Sequence, residues 1–158
     1  MTFDQRAFRD AMGCFATGIT VVSTNTDGGE PVGTTVNSFS SVSLDPPLVL
    51  FSLARTASNF DTFMAAERFA ICVLRDDQRD ISQGFATSGN SHFHDITYDR
   101  SDFGCPLVPD AIAVFECTTE ARHDGGDHVI MVGRVERVRC QSEGEPLLYY
   151  RGRYAAIR

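Results

Sequence analysis

The chain has 158 residues, enough for one compact domain with a sizeable core, and 42% apolar residues, which excludes a disordered chain. Its formal net charge is −7 and all 14 basic residues are Arg, so Lys is absent. An acidic chain repels phosphate backbones, which argues against nucleic acid, and a chain without Lys has neither a Schiff-base amine nor a P-loop.

No apolar run approaches the roughly 20 residues of a membrane helix, and the N-terminal residues show no apolar stretch of the signal-peptide kind. Cys14, Cys72, Cys105, Cys117 and Cys140 are widely spaced and form no C-x-x-C pair, so neither a disulfide framework nor a zinc ribbon is expected. Cys72 and Cys117 sit in strand-like runs, where a free Cys acts as a small buried hydrophobe. Reduced thiols and no membrane segment make the expected location cytoplasmic.

In chain order, residues 2–5 have the form of a capping box, and Phe8, Ala11, Met12 and Phe15 follow at helical spacing, predicting an amphipathic helix over 3–15. The β-branched run 19–24 predicts a strand, Asp27, Gly28 and Gly29 a turn, and 32–39 the returning strand. Pro46 and Pro47 break the chain before a third strand at 48–53. Ser58 is a candidate cap for a second helix, with Phe60, Phe63 and Met64 on one face. A strand over 69–74 and a short helix over 80–85 come next. Residues 86–110 are polar and without period, which predicts a long loop of functional length. The last third alternates: Ala113, Phe115, Cys117 and Ala121 share one face, and Val129, Met131, Gly133 and Val135 share another, across a turn at 124–127. Residues 147–150 form a final strand. Strands arriving as hairpins predict one antiparallel barrel with a few short helices.

Four segments hold candidate chemistry. Residues 33–43 replace apolar bulk with the short polar side chains Thr34, Thr35, Asn37, Ser38, Ser40, Ser41 and Ser43. Alternation puts Thr35, Asn37 and Phe39 on one face and Ser38 and Ser40 on the other. Such short donors and acceptors suit a flat polar heterocycle such as an isoalloxazine; the plain alternative is a solvated strand and Ser-rich turn. Residues 52–59 carry Arg55, Thr56, Ser58 and Asn59 between a strand and a helix, a candidate phosphate site or an ordinary helix cap. His128 follows Gly125, Gly126 and Asp127 at a hairpin tip, where glycines permit close approach; an isolated turn His can equally have no task. Arg151, Arg153 and Tyr154 form a basic and aromatic cluster, either a ring-stacking site or a polar tail. His92, His94 and Asp95 lack a third spaced ligand, so no metal is expected.

Taken together in this order, the run 15–23, the hydroxyl segment 35–43 with Pro46 and Pro47, the Gly126-Asp127-His128 turn and the run 148–154 resemble the short-chain flavin reductase family. Its members include the reductase components of two-component flavin monooxygenases. The resemblance covers nearly the whole chain and implies one flavin reductase-like domain over 1–158. It implies a mainly β fold, an antiparallel split β-barrel of the FMN-binding kind with a few short α-helices, forming a homodimer with flavin near the interface.

Carried over by motif, Thr35, Asn37 and Ser38 would face the flavin ring, with Ser41, Val42 and Ser43 close to it. Ser52, Ala54, Ser58 and Asn59 would take the ribityl chain and phosphate. Relatives often carry a Lys near that phosphate, and Arg55 is its candidate substitute. His128 and Tyr154 would lie on the nicotinamide side, with His128 the catalytic-site residue that positions the nicotinamide carboxamide or diphosphate rather than an obligate proton donor. The implied activity is NAD(P)H-dependent reduction of FMN or FAD, supplying reduced flavin to a partner monooxygenase. NADH is the expected donor and NADPH an alternative; FMN against FAD stays open. The protein then supplies orientation and electrostatics to the flavin's own hydride chemistry. The 86–110 loop is a candidate cover for the adenine end of a dinucleotide. Three other readings keep a related barrel: a flavin carrier without turnover, a corrinoid reductase, and an oxidase of the pyridoxamine phosphate type. The oxidase fits poorly with so few basic candidates. A barrel that binds no flavin is the reading from a different class.

Overall fold

The structure is a computed structural model and describes residues 4–87 and 92–157. Its strands are β1 (Thr17–Gly18), β2 (Thr20–Asn25), β3 (Pro31–Val36), β4 (Ser40–Leu44), β5 (Pro47–Ala54) and β6 (Arg68–Val73), followed by β7 (Asp99–Arg100), β8 (Pro106–Leu107), β9 (Ala113–Gly125), β10 (His128–Cys140), β11 (Leu148–Tyr150) and β12 (Arg153–Ala155). The helices are α1 (Gln5–Met12), α2 (Phe60–Ala65) and α3 (Arg79–Ala86), with a 3₁₀ turn at His92–His94. Among the described residues, seven strands form one antiparallel sheet in the order β3-β2-β6-β9-β10-β5-β4. The fold is therefore mainly β, as the alternating patterns imply.

Two apolar clusters explain why β2 is β-branched and buried throughout Thr20–Thr24. Val21 packs on one side with Cys72, Leu74, Phe85, Phe93 and Leu107. Val22 packs on the other with Val36, Phe51, Phe63, Phe69 and Met131. A strand with a core on each face gains from stiff branched side chains in both directions. The second cluster is a knot of aromatics: Phe51 meets Phe63 and Phe69 edge to face, with ring centroids 6.0 and 5.3 Å apart.

The predicted strand 32–39 is two strands. β3 stops at Val36 and β4 starts at Ser40, and they lie at opposite edges of the seven-stranded sheet. The expected sharing of one face by Thr35, Asn37 and Phe39 therefore fails, because residues 37–39 are a crossing and not a strand. Three residues span only about 10–15 Å, whereas seven flat strands would spread over about 29 Å, so the sheet must curl until its edges approach.

Other boundaries shift for local reasons. Helix α1 ends at Met12, capped by Gly13 whose N–H donates to the Arg9 carbonyl while the next N–H, of Cys14, donates to that of Ala11, so Phe15 lies outside the helix predicted over 3–15. Its N-cap is Asp4, whose carboxylate accepts from the Arg6 N–H at 3.0 Å; the Thr2 half of the predicted capping box lies outside the described residues. Asn59, not Ser58, is the N-cap of α2. Pro47 belongs to β5, and Pro46 stands in the turn that joins it to β4.

The segment predicted as a loop over 86–110 is mostly irregular, as predicted, but a few apolar side chains pin it to the core. Phe93, Cys105, Leu107 and Val108 are buried in the first cluster, and β7 pairs with β8; residues 88–91 lie outside the described set. In the long hairpin, Phe115 and Cys117 share the second cluster as predicted, as do Val129, Met131 and Val135. The pairing of Thr119 with Gly133 and of Ala121 with Val132 leaves Glu120 as an extra residue, so the alternation does not carry through to Ala121. No helix among the described residues is long and apolar enough to cross a membrane.

Candidate functional site

The β9–β10 hairpin turns through Gly126 and Asp127, with Gly125 paired to His128. Gly126 has φ +77°, a left-handed conformation that glycine adopts without steric cost. His128 opens β10 directly opposite Ala54 at the end of β5. Its Nδ1 lies 2.7 Å from Asp127 Oδ1. That bond holds the Asp127 carboxyl below its ordinary pKa. An ionised Asp127 can only accept, so in this contact Nδ1–H of His128 is the donor.

Arg55 reaches the same tip. Its backbone N–H donates to Asp127 O and its Nε–H to Gly126 O, each at 2.9 Å, and its terminal nitrogen pairs with Asp124. The guanidinium expected at a phosphate is thus engaged on the hairpin.

Ser38 and Ser52 join the crossing to β5: the Ser52 N–H donates to Ser38 Oγ at 2.9 Å, and the Ser38 hydroxyl lies 3.2 Å from Ser52 O. Beside them β4 is an edge strand, paired on one side to β5, with a register shift between Ser41 and Ser43 that bulges Val42. Such a bulge bends the strand and re-aims its side chains. The outer edge offers backbone groups alongside Ser41, Val42 and Ser43, and Asn37 is exposed at the crossing.

Thr35 and Tyr154 meet at a residue that carries no sequence signal. Thr35 Oγ1 donates to the Ser82 carbonyl at 2.7 Å, and Tyr154 OH lies 3.0 Å from Ser82 Oγ. Ser82 is fully buried on α3. Arg79, one turn earlier, stacks its guanidinium 4.8 Å from the Tyr154 ring centroid.

Two cavities border these groups. One of about 200 Å³ is lined by Thr34, Ala54, Thr56, Ser58 and Asn59 with the end of α3, and none of the described residues lining it is charged. Asn59 Nδ2 donates to Gly33 O at 2.9 Å, which ties this cavity's wall to β3. The other, about 730 Å³, lies between α1 and the sheet and is lined by Ser52, Ile130 and His128 opposite Phe8 and Met12. The site residues therefore fall into neighbouring groups: Ser38 with Ser52, Ala54 and Arg55 with His128, Ser58 with Asn59, and Thr35 with Tyr154. Sequence reasoning predicted both helices, over 80–85 and 3–15, but gave no part in the site to Ser82 on α3 or to the α1 wall. Only the last left a trace, as apolar residues at helical spacing.

A model of the flavin reductase like domain matches residues 12–158. The chain is 46% identical over 151 residues to FMN reductase (NADH) SmoA of Agrobacterium fabrum, covering 96% of this chain and 85% of that protein. It is 45% identical to the reductase component of the flavin-dependent trigonelline monooxygenase of Acinetobacter baylyi, covering 94% of this chain but only 48% of that longer protein. Among solved structures, the NADH:FAD oxidoreductase SgcE6 of Streptomyces globisporus, in complex with NAD and FAD fragments, superposes with a TM-score of 0.92 at 33% identity, covering 100% of this chain and 97% of that one. With a family match over nearly its whole length and this degree of identity to a full-length relative, the chain belongs to the flavin reductase like family.

Proposed function

We propose that this protein is an NAD(P)H-dependent flavin reductase that delivers a hydride from a reduced nicotinamide to FMN or FAD and supplies reduced flavin to a partner monooxygenase. The observation that carries the reading is that Ser52, assigned to the flavin side, and His128, assigned to the nicotinamide side, line one cavity. The SmoA and SgcE6 relatives, named for NADH with FMN and with FAD, support NADH as donor, and the trigonelline relative supports a monooxygenase partner.

The residues present fit a flavin. Asn37, Ser38, Ser41, Val42 and Ser43 offer a bulged edge of backbone and hydroxyl donors for the ring system. Thr35 contributes acceptor capacity, its hydroxyl proton being committed to Ser82. Ser52, Ala54, Ser58 and Asn59 would take the ribityl chain and phosphate, and His128 and, separately, Tyr154 would serve the nicotinamide side. When bound, the flavin supplies the hydride-accepting chemistry. His128 orients the nicotinamide, and the fixed donors of 37–43 stabilise negative charge on the ring. A phosphate cavity with hydroxyl and amide donors and no cation among the described residues suits a flavin that binds and then leaves.

The reading extends to a split β-barrel that forms a homodimer. The short crossing between β3 and β4 supports barrel closure, since Val36 of β3 and Phe51 of β5 share one cluster. Leu44 at 95% exposure and Phe15 at 73%, with Phe8, Met12 and Val42 also exposed, leave apolar surface for a second copy to cover.

NADH consumption by the purified protein, followed by absorbance with and without FMN or FAD, tests the function. Flavin-dependent turnover is expected. Tight flavin binding with no turnover from either nicotinamide would instead indicate a carrier and remove the role of His128.

A further inference from the structure

We infer that Arg55 is a positioning residue for the His128 hairpin and not a phosphate ligand. The inference rests on the reading that His128 meets the nicotinamide. Three contacts aim Arg55 at the tip: its backbone N–H to Asp127 O, its Nε–H to Gly126 O, and its terminal nitrogen to the Asp124 carboxylate. The first survives any side-chain substitution, and the other two belong to the guanidinium.

The uncharged cavity assigned to the phosphate is lined by Ala54 and by Thr56 through Asn59, and Arg55 is skipped. The backbone passes the cavity wall while this one side chain leaves it. A planar guanidinium suits the task because its Nε–H and terminal N–H groups lie in one plane and grip a carbonyl and a carboxylate together. The Asp124 carboxylate also neutralises the charge that a phosphate would need.

The tip needs such a brace. Gly125 and Gly126 give the turn its shape but widen its conformational freedom, and Asp127, which holds His128 Nδ1, lies between Gly126 and His128. A hairpin free to wander takes Asp127 and the imidazole with it. Arg55 therefore acts on nicotinamide binding through His128, without touching the dinucleotide.

The test compares wild type, Arg55→Ala, Arg55→Lys and Asp124→Asn in the full chain. It measures KM for NADH, kcat, the dissociation constants of FMN and riboflavin, and amide exchange at the tip. Arg55→Ala is expected to raise KM for NADH about fivefold with a smaller change in kcat, a size typical of losing a charge-assisted hydrogen bond at a half-exposed site. The ratio of FMN to riboflavin affinity should not move, and exchange at residues 125–128 should quicken. Arg55→Lys keeps a cation but loses the planar grip, so it should resemble Arg55→Ala; Asp124→Asn, which spares the Gly126 bond, should give about a twofold effect.

A selective loss of FMN affinity relative to riboflavin, repaired by Arg55→Lys, would overturn the inference in favour of a phosphate ligand. Unchanged KM and unchanged exchange would overturn it in favour of an idle surface arginine. If wild type shows no flavin-dependent turnover, the functional reading fails on its own account, and faster or unchanged exchange in Arg55→Ala still decides whether the brace exists.

Discussion

Ser38 and Ser52 satisfy each other in both directions, the Ser52 N–H donating to Ser38 Oγ at 2.9 Å and the Ser38 hydroxyl approaching Ser52 O at 3.2 Å. One side chain thereby holds the crossing between β3 and β4 against β5, beside the edge that would receive the flavin ring. Replacing Ser38 with Ala strands a part-buried N–H. The expected cost is about 1 kcal/mol of stability together with several-fold weaker flavin binding. Urea denaturation and a flavin fluorescence titration measure the two effects separately.

His128→Ala should raise KM for NADH or slow hydride transfer while flavin affinity stays near wild type, as stopped-flow reduction of bound flavin would show. Unchanged kinetics would remove His128 from the nicotinamide side. The His128–Asp127 contact carries its own acid limit. Hydrogen bonding to His128 holds the Asp127 carboxyl below its ordinary 3.8. A depressed carboxyl keeps its contribution above the ordinary value and loses it as pH falls through the lower folded value. The acid loss of NADH binding due to this contact should therefore appear below pH 3.8.

Gly133 on β10 faces the aromatic knot. A Cβ there would overlap the Phe69 ring and stand 2.9 Å from Cys117 Cβ, and both neighbours are fully buried. Gly133→Ala should destabilise by about 1–3 kcal/mol through overpacking, read as a lowered thermal midpoint. A neutral result would show that the Phe69 ring swings aside at little cost.

The cysteines divide by burial. Cys72, Cys105 and Cys117 are buried, and desolvation pushes each thiol up to about 12; Cys14 and Cys140 are exposed. A thiol-reactive dye at mild alkaline pH should label two sites in the native protein and five after denaturation. These thiols keep their protons in the folded chain when the unfolded chain has begun to lose them. Their contribution is thus complete below the unfolded value of 9.0 and falls away as pH rises toward about 12. Denaturation midpoints taken at rising pH should decline over that window.

Much of the molecule was legible in the sequence because its signals are local. The branched run at β2, the alternation of Val129, Met131 and Val135, and the glycines before His128 each state a local preference that the structure keeps. The hydroxyl-rich segment and the Gly126-Asp127-His128 turn also stand out locally, by composition and by glycine spacing.

What the tertiary structure alone decided was adjacency. Alternation tells which face a residue takes, but not which strand lies beside it. The run 32–39 therefore read as one strand, although its two ends belong to opposite edges of a curled sheet. The place of Arg55 between a strand and a helix makes it a candidate phosphate ligand in the sequence, whereas the partners of its guanidinium lie about 70 residues away on a hairpin tip. Ser82 gave no sign, since its role rests on Thr35 and Tyr154, each some 50–70 positions distant. Hydrogen bonds of that separation depend on how the sheet curls, and its curvature is a property of all its strands together rather than of any one segment.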